Sequence, residues 1–418
     1  MVFLLFNRYF PASVMAKISP FKALRPNPEL ASRVCELPYD VMSRDEAAKM
    51  AENNPHSFLH VSRPEINCAS EIDVYADEVY RKGAENFDLL KKNNTLIQDS
   101  SPSFYLYQQI MGEHRQVGLV AVASCEEYDA GAIKKHELTR PIKEDDRVRH
   151  IEALDAQTGP VFLTYQAVSE VDDFIEKAIC ADPDIDFVAE DGVRHSSWTI
   201  SAENDKSFIN NQFSLIESLY IADGHHRSAA ASRVNVSRCG AGGSGQFLAV
   251  IFPHNQMQIL PYNRVVKSLN GLEPDDFIAK LSSIFHIENE FIDGPKSKNE
   301  IGLYFRGGWS RLIFKDEIAK AESLLEGLDV ALLQNHILGP LLGIDDPRTS
   351  RQIDFVGGIR GNTELERLVD GGEYICAFSL YPTGIEDLMG IADSNAIMPP
   401  KSTWFEPKLR DGMFSHLI

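Results

Sequence analysis

The sequence predicts an α+β protein with a mixed sheet as its core and a C-terminal α/β unit. Three observations support this. The 418 residues are 44% hydrophobic, 9% aromatic and 24% charged, an ordinary globular composition with enough apolar material for a core. That excludes a disordered, collagen-like or coiled-coil chain. The apolar residues change from helical spacing to β-rich runs near residue 100, and strands and helices alternate after about residue 271, which suits layered α/β packing.

Taken in order, residues 17–42 carry four prolines and read as extended or turn-rich backbone with at most one short helix. Ser43 and Glu46 form a capping box that opens a helix through 47–54. A second helix is expected from about Tyr75 to Lys92, with Val79, Tyr80, Ala84, Phe87 and Leu90 on one face. The runs 103–110 and 116–124 read as a hairpin, 160–165 as a strand and 171–179 as a helix. Asp191-Gly192 marks a further hairpin turn, and 218–222 is a strand running into a helix. After a Gly/Ser-rich loop at 238–245, strands are expected at 247–252 and 257–266.

Beyond 271 the expected elements are a helix over 273–285, a hairpin turned at Gly307-Gly308 and a long apolar helix over 324–344. A strand at 353–358, a helix at 362–369, a strand at 374–381 and a helix at 384–392 follow. The expected organisation is an extension over 1–17, a core domain over 18–270 and a C-terminal domain over 271–418.

Subtracting 41 basic from 61 acidic residues leaves a charge of −20. Such a surface repels phosphate backbones, so general nucleic-acid binding is not expected. The six cysteines (Cys35, Cys68, Cys125, Cys180, Cys239 and Cys376) form no CxxC pair. They read as reduced, mostly buried thiols rather than a disulfide or zinc framework. No apolar run reaches 18 residues, so no membrane span is expected. Val2–Phe6 lacks a preceding basic residue and is interrupted by Arg8, which makes a poor secretory signal. The expected location is the cytoplasm.

Four segments concentrate chemistry. In Asp223-Gly224-His225-His226-Arg227 a glycine ends a strand, anion-binding side chains follow, and Ala229, Ala230 and Ala231 let a helix start close to the sheet. A helix N-terminus with an adjacent arginine fork suits a phosphate. The alternative is that these residues cap and stitch a turn. The second segment packs eight basic side chains, Lys134, Lys135, His136, Arg140, Lys143, Arg147, Arg149 and His150, into seventeen residues. On a helix over 144–156, Arg147 and His150 share a face. Glu137 lies among these cations and would stay ionised, as a general base or metal ligand requires. The competing reading is a solvated helix with pairs such as Glu144 with Arg147.

The third segment, Gly357-Gly358-Ile359-Arg360-Gly361, resembles a phosphate cradle in outline but lacks P-loop and Rossmann spacing, so a tight turn is the simpler reading. In the fourth, Met398–Leu409, Trp404 and Phe405 stand between prolines. This segment is expected to pack onto the body, with Lys401 or Lys408 near a site. No HExxH, Cys/His comb or GxSxG elbow occurs, so neither a protein-bound metal nor a serine nucleophile is expected.

The runs SPFKALRPNPELASRVCELPYDVMS, KKHELTRPIKEDDRVRH, IADGHHRSAA, PYNRVVKSLNG, IDFVGGIRG and MPPKSTWFEPKLRDG resemble the domain-of-unknown-function family numbered ten-fifteen, over about Ile18 to Phe414. The strand-DGHHR-helix junction is also similar to the phosphate-binding signature of the ParB/sulfiredoxin superfamily, which includes free-serine kinases. That resemblance implies that Gly224, His225, His226 and Arg227 hold phosphate, and that a glutamate activates a substrate hydroxyl. Glu137 is the candidate base, though no motif fixes it. Histidine rather than cysteine at 225 argues against sulfinate chemistry, and the absence of a basic domain argues against ParB-like DNA binding.

The candidates are therefore Glu137, Asp223 and His226 for catalysis, and Gly224, His225, His226 and Arg227 for the nucleotide phosphates. His136, Arg140, Arg147 and His150 are the candidates for substrate binding. The expected activity is that of a small-molecule kinase using ATP or ADP with Mg²⁺ on a hydroxylated metabolite such as serine. A non-catalytic nucleotide or anion sensor and a protein-interaction scaffold are the alternatives.

Overall fold

A computed structural model describes residues 16–289 and 294–418. Most of the expected N-terminal extension, residues 1–15, lies outside the described residues. The chain divides into two units. The first comprises the chain up to Lys135, Thr139–Gln256 and Pro407–Ile418, and the second comprises His136–Leu138 and Met257–Glu406.

The first unit is built on a mixed nine-stranded sheet. From one edge the order is Ile133–Lys134, Leu219–Asp223, Val161–Tyr165, Gln246–Pro253, His114–Ser124, Phe104–Met111, Arg194–Ile200 and Ile185–Val188. Ile18–Ser19 pairs with the strand His114–Ser124 off this path. Gln246–Pro253 runs parallel to Val161–Tyr165 and antiparallel to His114–Ser124. Side chains alternate between the faces of a strand, so Val117, Leu119, Ala121 and Ala123 join Phe247, Ala249 and Ile251 in one core cluster. The opposite face carries Phe162 and Phe252, whose rings are 4.7 Å apart. Both faces are buried in the centre of the sheet, which explains the nearly unbroken apolar run at 117–123.

The helix Asp77–Lys92 packs on Pro141–Leu154, which packs in turn on His225–Arg238, the helix that meets this sheet at Gln246–Pro253 and Val161–Tyr165. Pro141 and Asp77 sit close to their expected starts. Pro141–Leu154 and His225–Arg238 pack through Ile151, Ala230 and Val234. A small sheet of Leu96–Gln98, Ala23–Pro26, Ser415–Leu417 and Ala156–Gln157 ties the C-terminal segment into the unit. The expected capping box is formed, with Ser43 N donating to Glu46 Oε2 at 2.7 Å.

The second unit has a six-stranded antiparallel sheet in the order Phe285–Glu288, Gly308–Phe314, Glu300–Phe305, Cys376–Leu380, Tyr262–Val266 and Ile353–Gly357. Helices Pro274–Ile284, Gly361–Asp370 and Ile385–Asp393 accompany it. A mixed α/β architecture around a mixed sheet is thus present, including the strand-DGHHR-helix junction.

Several local expectations are corrected. The strand expected over 257–266 is two strands, Gln258–Leu260 and Tyr262–Val266, in different sheets. Pro261 separates them, because proline has no N–H for a ladder. The hairpin near 307 turns on Arg306-Gly307, both left-handed, and Phe305 pairs with Gly308, as a two-residue primed turn requires. The long helix expected over 324–344 is helical only over Asp329–Leu333 before a wider π turn at Gln334–Leu338. Gly339-Pro340 follows, and proline cannot continue the hydrogen-bonded ladder. Only Cys35, Cys125 and Cys376 are buried, and Cys180 and Cys239 are exposed. Among the described residues no helix is long and apolar enough to cross a membrane.

Candidate functional site

The strand Leu219–Asp223 ends at Gly224, whose φ of 102° is open to glycine and strained for other residues. The chain turns there directly into the helix His225–Arg238. A Cβ at Gly224 would sit 3.0 Å from Arg227 Nε, so the guanidinium folds back over the helix N-terminus. Arg227 donates to Pro160 O, and its Nη2 is 3.5 Å from Asp223 Oδ1. Lys408 Nζ approaches the other oxygen of Asp223 at 3.2 Å. Burial works against the charge of Arg227, but Asp223 and Asp40 outweigh it and hold the guanidinium protonated.

Helix Pro141–Leu154 supplies the second arginine. Nε and Nη2 of Arg147 donate to Asp146 Oδ2 at 2.9 and 2.7 Å, and its guanidinium lies 3.8 Å from the centre of the Tyr39 ring. The Glu144–Arg147 pair of the competing solvated-helix reading does not form. Glu144 instead accepts from Thr139 Oγ1 and lies 3.7 Å from Arg233. Burial opposes ionisation of Asp146, yet the Arg147 charge and the Tyr80 hydrogen bond lower its pKa. One turn on, His150 Nε2 is 3.0 Å from the carbonyl of Val61. That contact places the proton on Nε2 and leaves Nδ1 as an acceptor. Burial, with Arg147 adding to it, takes the His150 pKa down to about 4, so the ring is neutral near pH 7.

Arg147, His150 and Arg227 line one cavity in the first unit, together with Tyr39, Ser62, Gly159 and Asp411. Its volume is about 30 Å³, against the ~10–15 Å³ that one water requires. It therefore has room for a small polyatomic group and not for a whole nucleotide. Two buried polar atoms on its wall, Ser62 Oγ and Asp411 Oδ1, have no hydrogen-bond partner. Orphaned buried oxygens are uncommon and call for an explanation. A Cβ at Gly159 would lie 3.3 Å from both Arg227 Cδ and Asp411 Oδ1, so glycine there lets these groups share the cavity.

Asp411 is 2% exposed. It is held by a backbone bridge in which Glu36 N donates to Asp411 O at 3.1 Å and Asp411 N to Glu36 O at 2.9 Å. Burial raises its pKa to about 7, even though Arg227 and Arg147 pull the other way. The same cause, burial, puts Glu36 at about 7. A carboxyl titrating near neutrality is suited to accept a proton.

The remaining candidates lie as follows. His226 Nε2 accepts the Arg140 backbone N–H at 3.0 Å, which makes this histidine a link between the helix and the loop before Pro141. His225 is buried in the first helical turn. His136 and Glu137 belong to the second unit, where the His136 carbonyl accepts the Met398 N–H at 2.9 Å. Tyr39, Ser62 and Asp411 were not among the sequence candidates. The available signals were the Tyr39-Asp40 and Asp411-Gly412 dipeptides, each inside a run quoted above.

Sequence comparison with curated proteins gives no match. Among solved structures, the chain is similar to SbnI with a C-terminal truncation from Staphylococcus aureus, at 10% identity and a TM-score of 0.39. That match covers 70% of this chain and 85% of the other. It is similar to a conserved hypothetical protein from Pyrococcus furiosus at 13% identity and a TM-score of 0.35, covering 72% and 95%. A free serine kinase in complex with AMP is 12% identical with a TM-score of 0.34, covering 68% and 86%. The family model described as protein of unknown function DUF1015 matches residues 18–331. The chain belongs to the DUF1015 family.

Proposed function

We propose that the chain is a small-molecule phosphotransferase that uses ATP or ADP and acts on a hydroxylated metabolite such as serine. The observation that carries this reading is the first-unit cavity. Two nearly buried arginines, Arg147 and Arg227, line it beside a buried carboxyl with an unpartnered oxygen. Phosphoryl transfer needs positive charge around the moving phosphorus and a group that takes the acceptor's proton, and little covalent help. Arg147 and Arg227 would bind the transferred phosphoryl group, with the rest of the nucleotide outside the cavity.

In the proposed step the acceptor hydroxyl gives its proton to Asp411 as its oxygen bonds to the terminal phosphorus. The bond from that phosphorus to the bridging oxygen breaks, and ADP leaves from ATP, or AMP from ADP. Ser62 Oγ is available to the acceptor or to a phosphate oxygen. For Mg²⁺ the fitting donor is Asp40, an exposed carboxylate whose charge acts on both Asp411 and Arg227. When bound there, the ion would neutralise phosphate charge.

The test is incubation of the full chain with a panel of hydroxylated metabolites and labelled ATP or ADP. Transfer of label to one acceptor is expected, with Arg227→Ala lowering turnover by at least ~100-fold. No turnover across the panel, or full activity in Arg227→Ala, would overturn the proposal. Stabilisation by nucleotide without turnover would instead favour the sensor reading.

A further inference from the structure

The second unit has a cavity of its own, of about 330 Å³, within the range of small-molecule sites. Asp329, the first residue of the helix Asp329–Leu333 and 8% exposed, lines it. One oxygen of Asp329 accepts the Asn299 N–H at 2.8 Å. Among the described residues the other has no hydrogen-bond or ion-pair partner. Asp387 and Glu322 also line the cavity, and among the described residues Lys298 is the one cation on its wall. Lys298 is already paired with Asp387 at 2.6 Å. One cation against three carboxylates leaves the wall with two negative charges in excess when all are ionised. Burial raises the Asp329 pKa to about 7, with Lys298 opposing and Asp387 and Glu300 adding to the rise. A cation in the cavity would bring that value back down.

The geometry selects among cations. A divalent metal needs several oxygens converging on one point, and the oxygens of Asp329, Asp387 and Glu322 do not all lie within 4.8 Å of one another. Leu324, Leu328 and Pro382 supply apolar wall to the same cavity. Carboxylates that do not converge on one point, in a cavity that also has apolar wall, suit an aliphatic chain ending in ammonium groups. We propose that this cavity binds a small aliphatic amine, with one ammonium on the free oxygen of Asp329. The proposal does not depend on the phosphotransferase reading.

The test is calorimetric titration of the full chain with 1,4-diaminobutane, with butan-1-ol and butanoate as length-matched controls. The diamine is expected to bind and the controls not to. Asp329→Asn should weaken binding by at least about tenfold, the loss typical of a charge-assisted hydrogen bond. Asp329 also supports the loop at Asn299, so the exposed Glu322→Lys is a second probe, with an expected loss of about fivefold. Equal binding of diamine and alcohol overturns the proposal, as does diamine binding unchanged in a folded Asp329→Asn. If Asp329→Asn does not fold, unchanged binding in Glu322→Lys overturns it.

Discussion

Asp411 and His150 face the same cavity and respond to pH in opposite directions. The folded pKa of Asp411 is raised from 3.8 to about 7, so the folded chain holds this proton where the unfolded chain has lost it. The resulting contribution to stability is fully present below about pH 4 and is lost as pH rises through 7. The folded pKa of His150 is lowered from 6.5 to about 4. Its contribution is present above pH 6.5 and lost as pH falls towards 4. The two effects overlap in the wild type, so a variant has to separate them. The stability of wild type minus that of Asp411→Asn should fall from pH 4 to pH 8, by at most ~4 kcal/mol. Denaturant melts at several pH values measure this. A difference that does not change with pH would contradict the environment assigned to Asp411.

At the scale of elements, the junction between strand Leu219–Asp223 and helix His225–Arg238 depends on backbone geometry as much as on charge. Gly224 has φ 102°, and a Cβ there would press on Arg227 Nε at 3.0 Å. Gly224→Ala should therefore cost ~1–3 kcal/mol and displace the guanidinium. Thermal unfolding together with nucleotide binding measures both effects, and an unchanged melting temperature would contradict the strain argument. This junction was readable from sequence because its information is local: an apolar strand, a glycine, polar anchors and then small residues. Arg147 and His150 were readable for the same reason, being three apart on one helix. Asp411 was not, because it reaches the cavity through a backbone bridge to Glu36, at the opposite end of the chain. The partner of Arg147 was also not legible. Helical spacing favours Glu144, but the adjacent Asp146 is buried, fixed by Tyr80 Oη at 2.8 Å, and takes the arginine instead. The overlong helix at 324–344 shows apolar composition outweighing the breakers Gly339 and Pro340 in a sequence reading.

For the whole molecule, the charge of −20 does not describe either cavity. On the wall of the first unit's cavity Arg147 and Arg227 stand against one carboxyl, Asp411, which leaves positive charge for an anion there, while Asp146, Asp223 and Asp40 offset the arginines from outside the wall. In the second unit the cavity wall is acidic like the surface. Buried charges are screened less than exposed ones, so the first cavity can attract a phosphate within a molecule that repels polyanions. The central claim is that Arg227 and Arg147 bind a phosphoryl group there. Calorimetric titration of ADP into wild type, Arg227→Ala and Asp411→Asn tests it most directly. The account predicts that ADP binds the wild type, that Arg227→Ala weakens binding by about 10–100-fold, and that Asp411→Asn binds at least as tightly as wild type because a negative charge is removed. Equal affinity in wild type and a folded Arg227→Ala, or no ADP binding to the wild type, would contradict it.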